Sequence, residues 1–478
     1  MSRRSSANRA YGGDETGVEG AWCPEALAAP SPSGPRGGRG DQLARSPGAC
    51  SAPSSRRETP VPSCAGPAVP IESLFSIRYV QVVVEPGEVM TRVKTPAMLF
   101  AWTVALMAFG RVAIRGWSTL GDDFNPIWQA VHSLVEGGTV YGEQSGNGSF
   151  VHTPSAAVLL YPMGWLPEGT ASKLYTAAVA LLIPAAFFVA FRLADEKARQ
   201  RMAIAAAIFA VSMPLSNAMG LRNTDPVSLA LFATAMVALA SDRDREGGAV
   251  IGLAVAIKPT MVLLLLLPLL IGRGRGTVWA VAVAGLLNAA GFILVPHSVW
   301  FITSVLPWLR HGQSTADLNA AFTGVPDALG LEAPPFSTAA QVVAALFFIA
   351  IGVAYRDTLK ADVFTAAAFL VVAGLVVPPY SFRSYAIYLI LAAPFFLSRI
   401  ARPIEMVAAG AATYLIFGLD QGSFGSSAAQ LRAAAGRVVL AGLLFLILRR
   451  TSEQASDEPS PLPQSAPATA SAGPQKSG

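Results

Sequence analysis

A succession of apolar runs from Pro96 to Leu448 limits what this chain can fold into more than any other feature. They lie at Pro96–Ile114, Ala171–Leu193, Met202–Met219, Pro226–Ala240, Gly247–Ile257, Thr260–Ile271, Thr277–Val295, Thr338–Tyr355, Val363–Val377, Tyr385–Leu397, Ile404–Phe417 and Val438–Leu448. Several are shorter than the ~20 residues a full helical crossing needs. With 53% hydrophobic and only 14% charged residues, and a mean hydropathy of +0.47, a soluble domain is excluded. The expected fold class is all-α: a polytopic membrane protein of about 12 hydrophobic segments.

The charges between the runs set the expected topology. Arg92/Lys94, Lys197/Arg199/Arg201, Arg243/Arg245, Arg273/Arg275, Arg356/Lys360, Arg399/Arg402 and Arg449/Arg450 all fall on one side, which the positive-inside rule assigns to the cytoplasm. This holds only if Gly247–Ile271, basic at both flanks, is a hairpin of two short helices bent at Lys258-Pro259, where proline removes a backbone donor. The net charge of +5 is thereby accounted for without nucleic acid.

Residues 1–93 are rich in Ser, Pro, Gly, Arg and Ala and read as a disordered cytoplasmic tail, with Met90 a natural start before the first span. Residues 94–450 form the membrane domain, and residues 451–478 read as a second disordered tail. Cys23, Cys50 and Cys64 all precede the membrane region, so neither a disulfide framework nor a cysteine metal site holds the fold.

The outer face receives two long loops, Arg115–Thr170 and Pro296–Ser337, and short ones around Arg222–Asp225, Pro378–Ser384 and Asp420–Gln430. Within the first, Phe124–Glu136 reads as an amphipathic interfacial helix with Ile127, Trp128, Val131 and Leu134 on one face. Asp122 and Asp123 stand at its start. Carboxylates are expensive beside a bilayer and point to chemistry: an outward-facing base that deprotonates an acceptor hydroxyl. Their other role is to cap the helix that follows, with Pro126 in its first turn.

Lys258, at the hairpin tip, is the cation expected to hold a phosphate; snorkelling or packing is its alternative role. Arg222 and Arg383 in short outer loops, and Arg310 in a long one, are further cations able to pair with a phosphate or with Asp225 or Asp317. His132, His152, His297 and His311 lack the close spacing of a metal pair, so no metal and no cofactor are expected. The loop aromatics, Trp128 and Tyr141 among them, form an interfacial belt from which a few stack on sugar rings. Asn147-Gly148-Ser149 matches a glycosylation acceptor by chance composition and carries no weight.

Asp122-Asp123-Phe124-Asn125-Pro126-Ile127-Trp128, followed by Glu136-Gly137-Gly138-Thr139-Val140-Tyr141, resembles the first-loop signature of glycosyltransferase family 87. The likeness continues through Gly252–Pro259, Phe301–Pro307 and Pro378–Tyr388. The resemblance implies a GT-C fold and transfer of a sugar from a polyprenyl-phosphate donor to a cell-envelope glycan or glycolipid. Within the family the Asp-Asp-Phe-x-Pro form most resembles the arabinan-branching arabinofuranosyltransferases, and less the polyprenyl-phosphate-mannose-dependent mannosyltransferases. The candidate site residues are Asp123 or Asp122 as base, Lys258, Arg383 and Arg222 at the donor phosphate, and Trp128, Tyr141, His152 and Asn319 at the substrates. Departures at Leu221–Asp225, at Leu318–Ala321 and at His152, which replaces an aromatic, bear on acceptor identity. The rival class is a transporter or lipid flippase, against which stand the asymmetric long outer loops and the lack of a visible repeat.

Overall fold

Prolines and short polar residues at the edges of the apolar runs set where the helices begin. α1 (Pro96–Ser118) opens on Pro96 and α2 (Phe124–Val135) has Pro126 in its first turn, where the N–H that proline lacks has no partner anyway. α3 (Pro154–Leu160) passes directly into a 3-10 turn, Tyr161–Trp165. α4 (Glu168–Leu193) is followed by α5 (Glu196–Ala210), capped by Asp195, whose carboxylate accepts from Ala198 N at 2.7 Å. The computed structural model describes residues 96–118, 123–141, 149–311, 320–322, 325–326, 329, 331, 334–378, 381, 383–417 and 427–457, all within the unit Val83–Gly478. No strand occurs among the described residues.

The run expected as one segment over Met202–Met219 is two helices. α5 and α6 (Met213–Leu221) meet at a 56° bend, where the Ser212 hydroxyl accepts from Leu215 N and Pro214 occupies the first turn of α6. α7 (Asp225–Ala240) and α8 (Asp244–Ile257) follow, antiparallel neighbours across a short turn. At Lys258 the chain turns extended, with φ −135° and ψ 104°, and Pro259 begins an eight-residue 3-10 stretch, Pro259–Leu266, that ends in α9 (Leu267–Leu270). The hairpin expected over Gly247–Ile271 is closed at its base. Arg273 donates to Asp244 at 2.7 Å and to Asp242 at 2.6 Å, so the returning leg ends beside the start of α8. α10 (Gly274–Leu294) packs along α8 so closely that a Cβ on Gly248 would stand 2.1 Å from the Gly276 carbonyl oxygen.

Beyond a π-helical turn, Phe301–Val305, come α11 (Leu306–His311), α12 (Pro334–Ala354), α13 (Arg356–Ala361) and α14 (Val363–Val376). α14 is buried on nearly all sides, as an all-apolar helix must be when other helices surround it. The run expected over Tyr385–Leu397 starts as a 3-10 segment, Arg383–Tyr388, before becoming α15 (Leu389–Arg399). α16 (Pro403–Phe417) and α17 (Ser427–Asp457) complete the bundle. α17 continues past residue 450 to Asp457, with Arg449 paired to Glu453 at 2.8 Å and the Thr451 hydroxyl on Ile447 O.

Among the described residues, five helices are long and apolar enough to cross a membrane, six with the bent α5–α6 pair, and the remaining apolar helices are shorter. Large apolar side chains such as Leu181, Ile293 and Val353 point outward at 73%, 81% and 73% exposure, which only a lipid surround tolerates. The chain is an all-α polytopic membrane protein.

Its two ends differ chemically. At one, Arg201 donates to the carbonyls of Leu397 and Ile400, Arg399 pairs with Asp362 at 3.3 Å, and Arg450 pairs with Glu405. At the other lie the Lys258 break, the Arg222–Asp225 turn and the 3-10 segment Arg383–Tyr388.

Candidate active site

At the Lys258 end, apolar helices deliver polar side chains into one cluster. Asp225 sits in the first turn of α7, ahead of Pro226, and is fully buried. Lys258 reaches it from the end of α8, itself only 5% exposed, and the two form an ion pair. The pair is well supplied with further partners. Tyr388 OH donates to Asp225 Oδ1 at 3.0 Å, Ser384 Oγ donates to Oδ2 at 3.1 Å, and the Lys258 ammonium stands 4.3 Å from the centre of the Tyr385 ring. A buried pair survives desolvation only when its lone pairs and protons are met in this way.

The turn before Asp225 is tied down as firmly. Arg222 is left-handed at φ 56°, almost wholly buried, and donates to Ser172 Oγ on α4 and to Gly116 O on α1. Its guanidinium thereby clamps three segments together. Asn223 O accepts from Tyr175 OH at 2.6 Å, and Asn223 Oδ1 accepts from Asp225 N at 3.1 Å.

Asp123 belongs to the same end. Its N–H donates to Leu221 O at 3.1 Å, which fastens the start of α2 to the residue before Arg222. Its side chain is exposed and makes no capping bond to α2, so the capping role is not the one it fills. Phe124 packs on Tyr175 at 5.4 Å between ring centres, and the Asp123 and Asp225 charges both act on Tyr175.

His152 lies close enough to Lys258 to feel its charge. Burial first, and that charge second, push its imidazole down to about 3, so it is neutral at ordinary pH. Its carbonyl accepts from Tyr141 OH at 2.7 Å, and Tyr141 is buried between Phe150 and Phe301. Thr153, next along, donates to Ala256 O at 2.5 Å, binding this loop to the last turn of α8 just before Lys258. Close packing here depends on Gly291 of α10, where a Cβ would stand 2.3 Å from Ser155 N.

Trp128 is used in packing. Its indole N–H donates to Leu166 O at 3.0 Å and its ring stacks on His132, whose Nδ1 donates to Gly164 O. Asp122 and Asn319 lie outside the described residues, as do the side chains of Arg383, Arg310 and His311 and most of the glycosylation triplet. The structure therefore brings Lys258 and His152 together, and fastens Asp123 to Leu221 at the start of the Arg222–Asp225 turn. It adds Asp225 as the ion-pair partner of Lys258, with Ser384, Tyr385 and Tyr388. The sequence carried signals for these: a polar Arg222–Asp225 turn interrupting two apolar runs, and hydroxyls at 384, 385 and 388 on successive turns of one segment.

Residues 150–381 match the model of glycosyltransferase family 87. This chain carries a family 87 region. It contains His152, Arg222, Asp225 and Lys258, begins after Asp123 and ends before Arg383. The chain is similar to an alpha-(1->3)-arabinofuranosyltransferase of Corynebacterium glutamicum, 28% identical over 239 residues, covering 48% of this chain and 56% of that protein. Like-named proteins of Mycobacterium tuberculosis (29% over 216 residues, 43% of this chain and 50% of theirs) and Mycolicibacterium smegmatis (26% over 233 residues, 47% and 53%) also match. The chain spans about half the length of these curated relatives. No solved structure matches it.

Proposed function

We propose that this protein is a membrane glycosyltransferase of the plasma membrane that moves a sugar, arabinofuranose by preference, from a polyprenyl phosphate to a cell-envelope glycan or glycolipid at the outer face. The observation that carries this reading is that exposed Asp123 is hydrogen-bonded to Leu221, at the start of the turn that carries Asp225, the buried partner of Lys258. The names of the relatives supply the sugar preference. In this mechanism Asp123 removes the proton from the acceptor hydroxyl. The freed oxygen forms a bond to the anomeric carbon while the bond from that carbon to the phosphate oxygen breaks, inverting the centre. The Lys258 charge offsets the charge growing on the departing lipid phosphate, and Asp225, Tyr388 and Tyr385 hold that ammonium in place. Neutral His152 leaves the positive charge of the site to Lys258.

The test uses the full chain in membranes with radiolabelled polyprenylphosphoryl arabinose or polyprenylphosphoryl mannose and envelope-glycan acceptors. Transfer of arabinose, reduced by about 100-fold or more in Asp123→Asn with the melting midpoint unchanged, is the expected result. Transfer of mannose alone would change the sugar. Asp123→Asn activity within a few-fold of the parent would take the base away from Asp123, with Asp122 next to examine.

A further inference from the structure

Away from the candidate site, an apolar groove of about 520 Å³ runs between the α5–α15 and α16–α17 pairs. Ile204 and Ile208 of α5, Ala393 and Phe396 of α15, and Ala409 and Ile416 of α16 line it, and Arg201 is the one charged residue on its wall among the described residues. Arg201 sits at the basic end, its guanidinium fixed by the carbonyls of Leu397 at 2.8 Å and Ile400 at 3.2 Å. From there the groove follows α16 from Met406 to Phe417. At ~1.5 Å per residue that stretch is about 16 Å long. This is about half of a ~30 Å hydrocarbon core, the depth of a single leaflet.

Walls of Ile, Leu, Phe and Ala with no partner across a void forfeit their dispersion contacts, so the groove is stable only when hydrocarbon fills it. The volume suits one chain of a membrane lipid, not a second protein helix. Arg201, on the wall at the end where a head group would sit, supplies charge complementarity to an anion. The donor phosphate of the proposed reaction belongs at the opposite end, beside Lys258, so this groove is not a continuation of that site. We infer that the groove binds an anionic glycerophospholipid of the basic-end leaflet, one acyl chain lying along Ile204, Ala393 and Ala409 and the head-group phosphate at Arg201. The lipid would tie α16 and α17 to α5 and α15, a stabilising role separate from transfer.

The full-length protein in detergent is titrated with dioleoyl phosphatidylglycerol, dioleoyl phosphatidylcholine or decaprenyl phosphate while its melting midpoint is followed. Phosphatidylglycerol is expected to raise the midpoint by several degrees more than phosphatidylcholine. Arg201→Gln should erase that preference, Arg201→Lys should keep it, and Ala409→Trp, which fills the groove, should remove the response to both phospholipids. Where Ala409→Trp does not fold, Ala393→Phe plugs the groove from the other wall and is read the same way. Equal shifts by the two phospholipids, or an undiminished phosphatidylglycerol shift in the plugged variant, would overturn the assignment. A response to decaprenyl phosphate alone, lost in the plugged variant, would overturn it in favour of the donor's tail.

Discussion

At the scale of single residues, the Lys258–Asp225 pair is the most consequential arrangement, because both charges are withdrawn from solvent. Lys258→Met leaves a buried carboxylate with only two neutral donors, and should cost about 3–5 kcal/mol of stability. Asp225→Asn strands the ammonium and should cost a similar amount. The double variant Lys258→Met/Asp225→Asn buries no net charge and is expected to recover a large part of the combined loss, a non-additivity that unfolding in detergent can measure. Additive losses would mean that the two side chains do not act as a pair. His152 gives a pH signature. With its folded pKa about 3, below the ordinary 6.5, the folded state refuses a proton that the unfolded chain accepts. Its contribution is fully present above pH 6.5 and is lost as pH falls from there toward 3, with a limiting slope of ~1.4 kcal/mol per pH unit. Comparing the parent with His152→Gln between pH 7 and 5.5, the parent should lose stability faster; parallel curves would show that His152 protonates freely in the fold. The lone lysine inside an apolar stretch marked Lys258 in the sequence, but its partner was not legible there. Asp225 reads equally well as a mate for Arg222, and only packing of α7 against α8 decides for Lys258.

At the scale of elements, helix boundaries follow local chemistry and the breaks follow proline. The bend at Lys258-Pro259 was readable because proline cannot continue the ladder of α8 and the flanks of the run are both basic. The split of Met202–Met219 was less so, since Ser212 and Pro214 make a cap only once α6 turns away by 56° to place Leu221 beside Asp123. Apolar periodicity also stops short at Leu448, whereas α17 runs to Asp457 on ion pairing and a back-bonded threonine. The contact of α8 with α10 rests on Gly248. A methyl there meets backbone that cannot rotate aside, so Gly248→Ala should destabilise the protein by roughly 1–3 kcal/mol despite the better helix propensity of alanine. Gly110→Ala, on α1 with open space around it, is the control and should be neutral or slightly stabilising. If both variants melt alike, α8 and α10 do not approach as described.

At the scale of the whole molecule, the two chemically different ends imply an orientation, and the ion pairs of Arg273 make it testable. Because Arg273 bridges to Asp242 and Asp244, residues 245 and 275 lie at the same end although one apolar run of hairpin separates them. Arg201, Arg399 and Arg450 mark that end as well, and the positive-inside rule places it in the cytoplasm. Arg245 and Arg275 are exposed and are not the residues that close the hairpin, so they can be replaced by cysteine without opening it. Gln129, exposed on α2, represents the opposite end. After replacement of Cys23, Cys50 and Cys64, an impermeant thiol reagent added to intact cells should label Gln129→Cys and spare both Arg245→Cys and Arg275→Cys, all three reacting once the membrane is permeabilised. Labelling of one of the two arginine positions without the other would make the run a single crossing and undo the hairpin. Labelling of both, with Gln129→Cys spared, would keep the hairpin but turn the molecule over, placing Asp123 and Lys258 in the cytoplasm, where a donor presented at the outer leaflet cannot reach them.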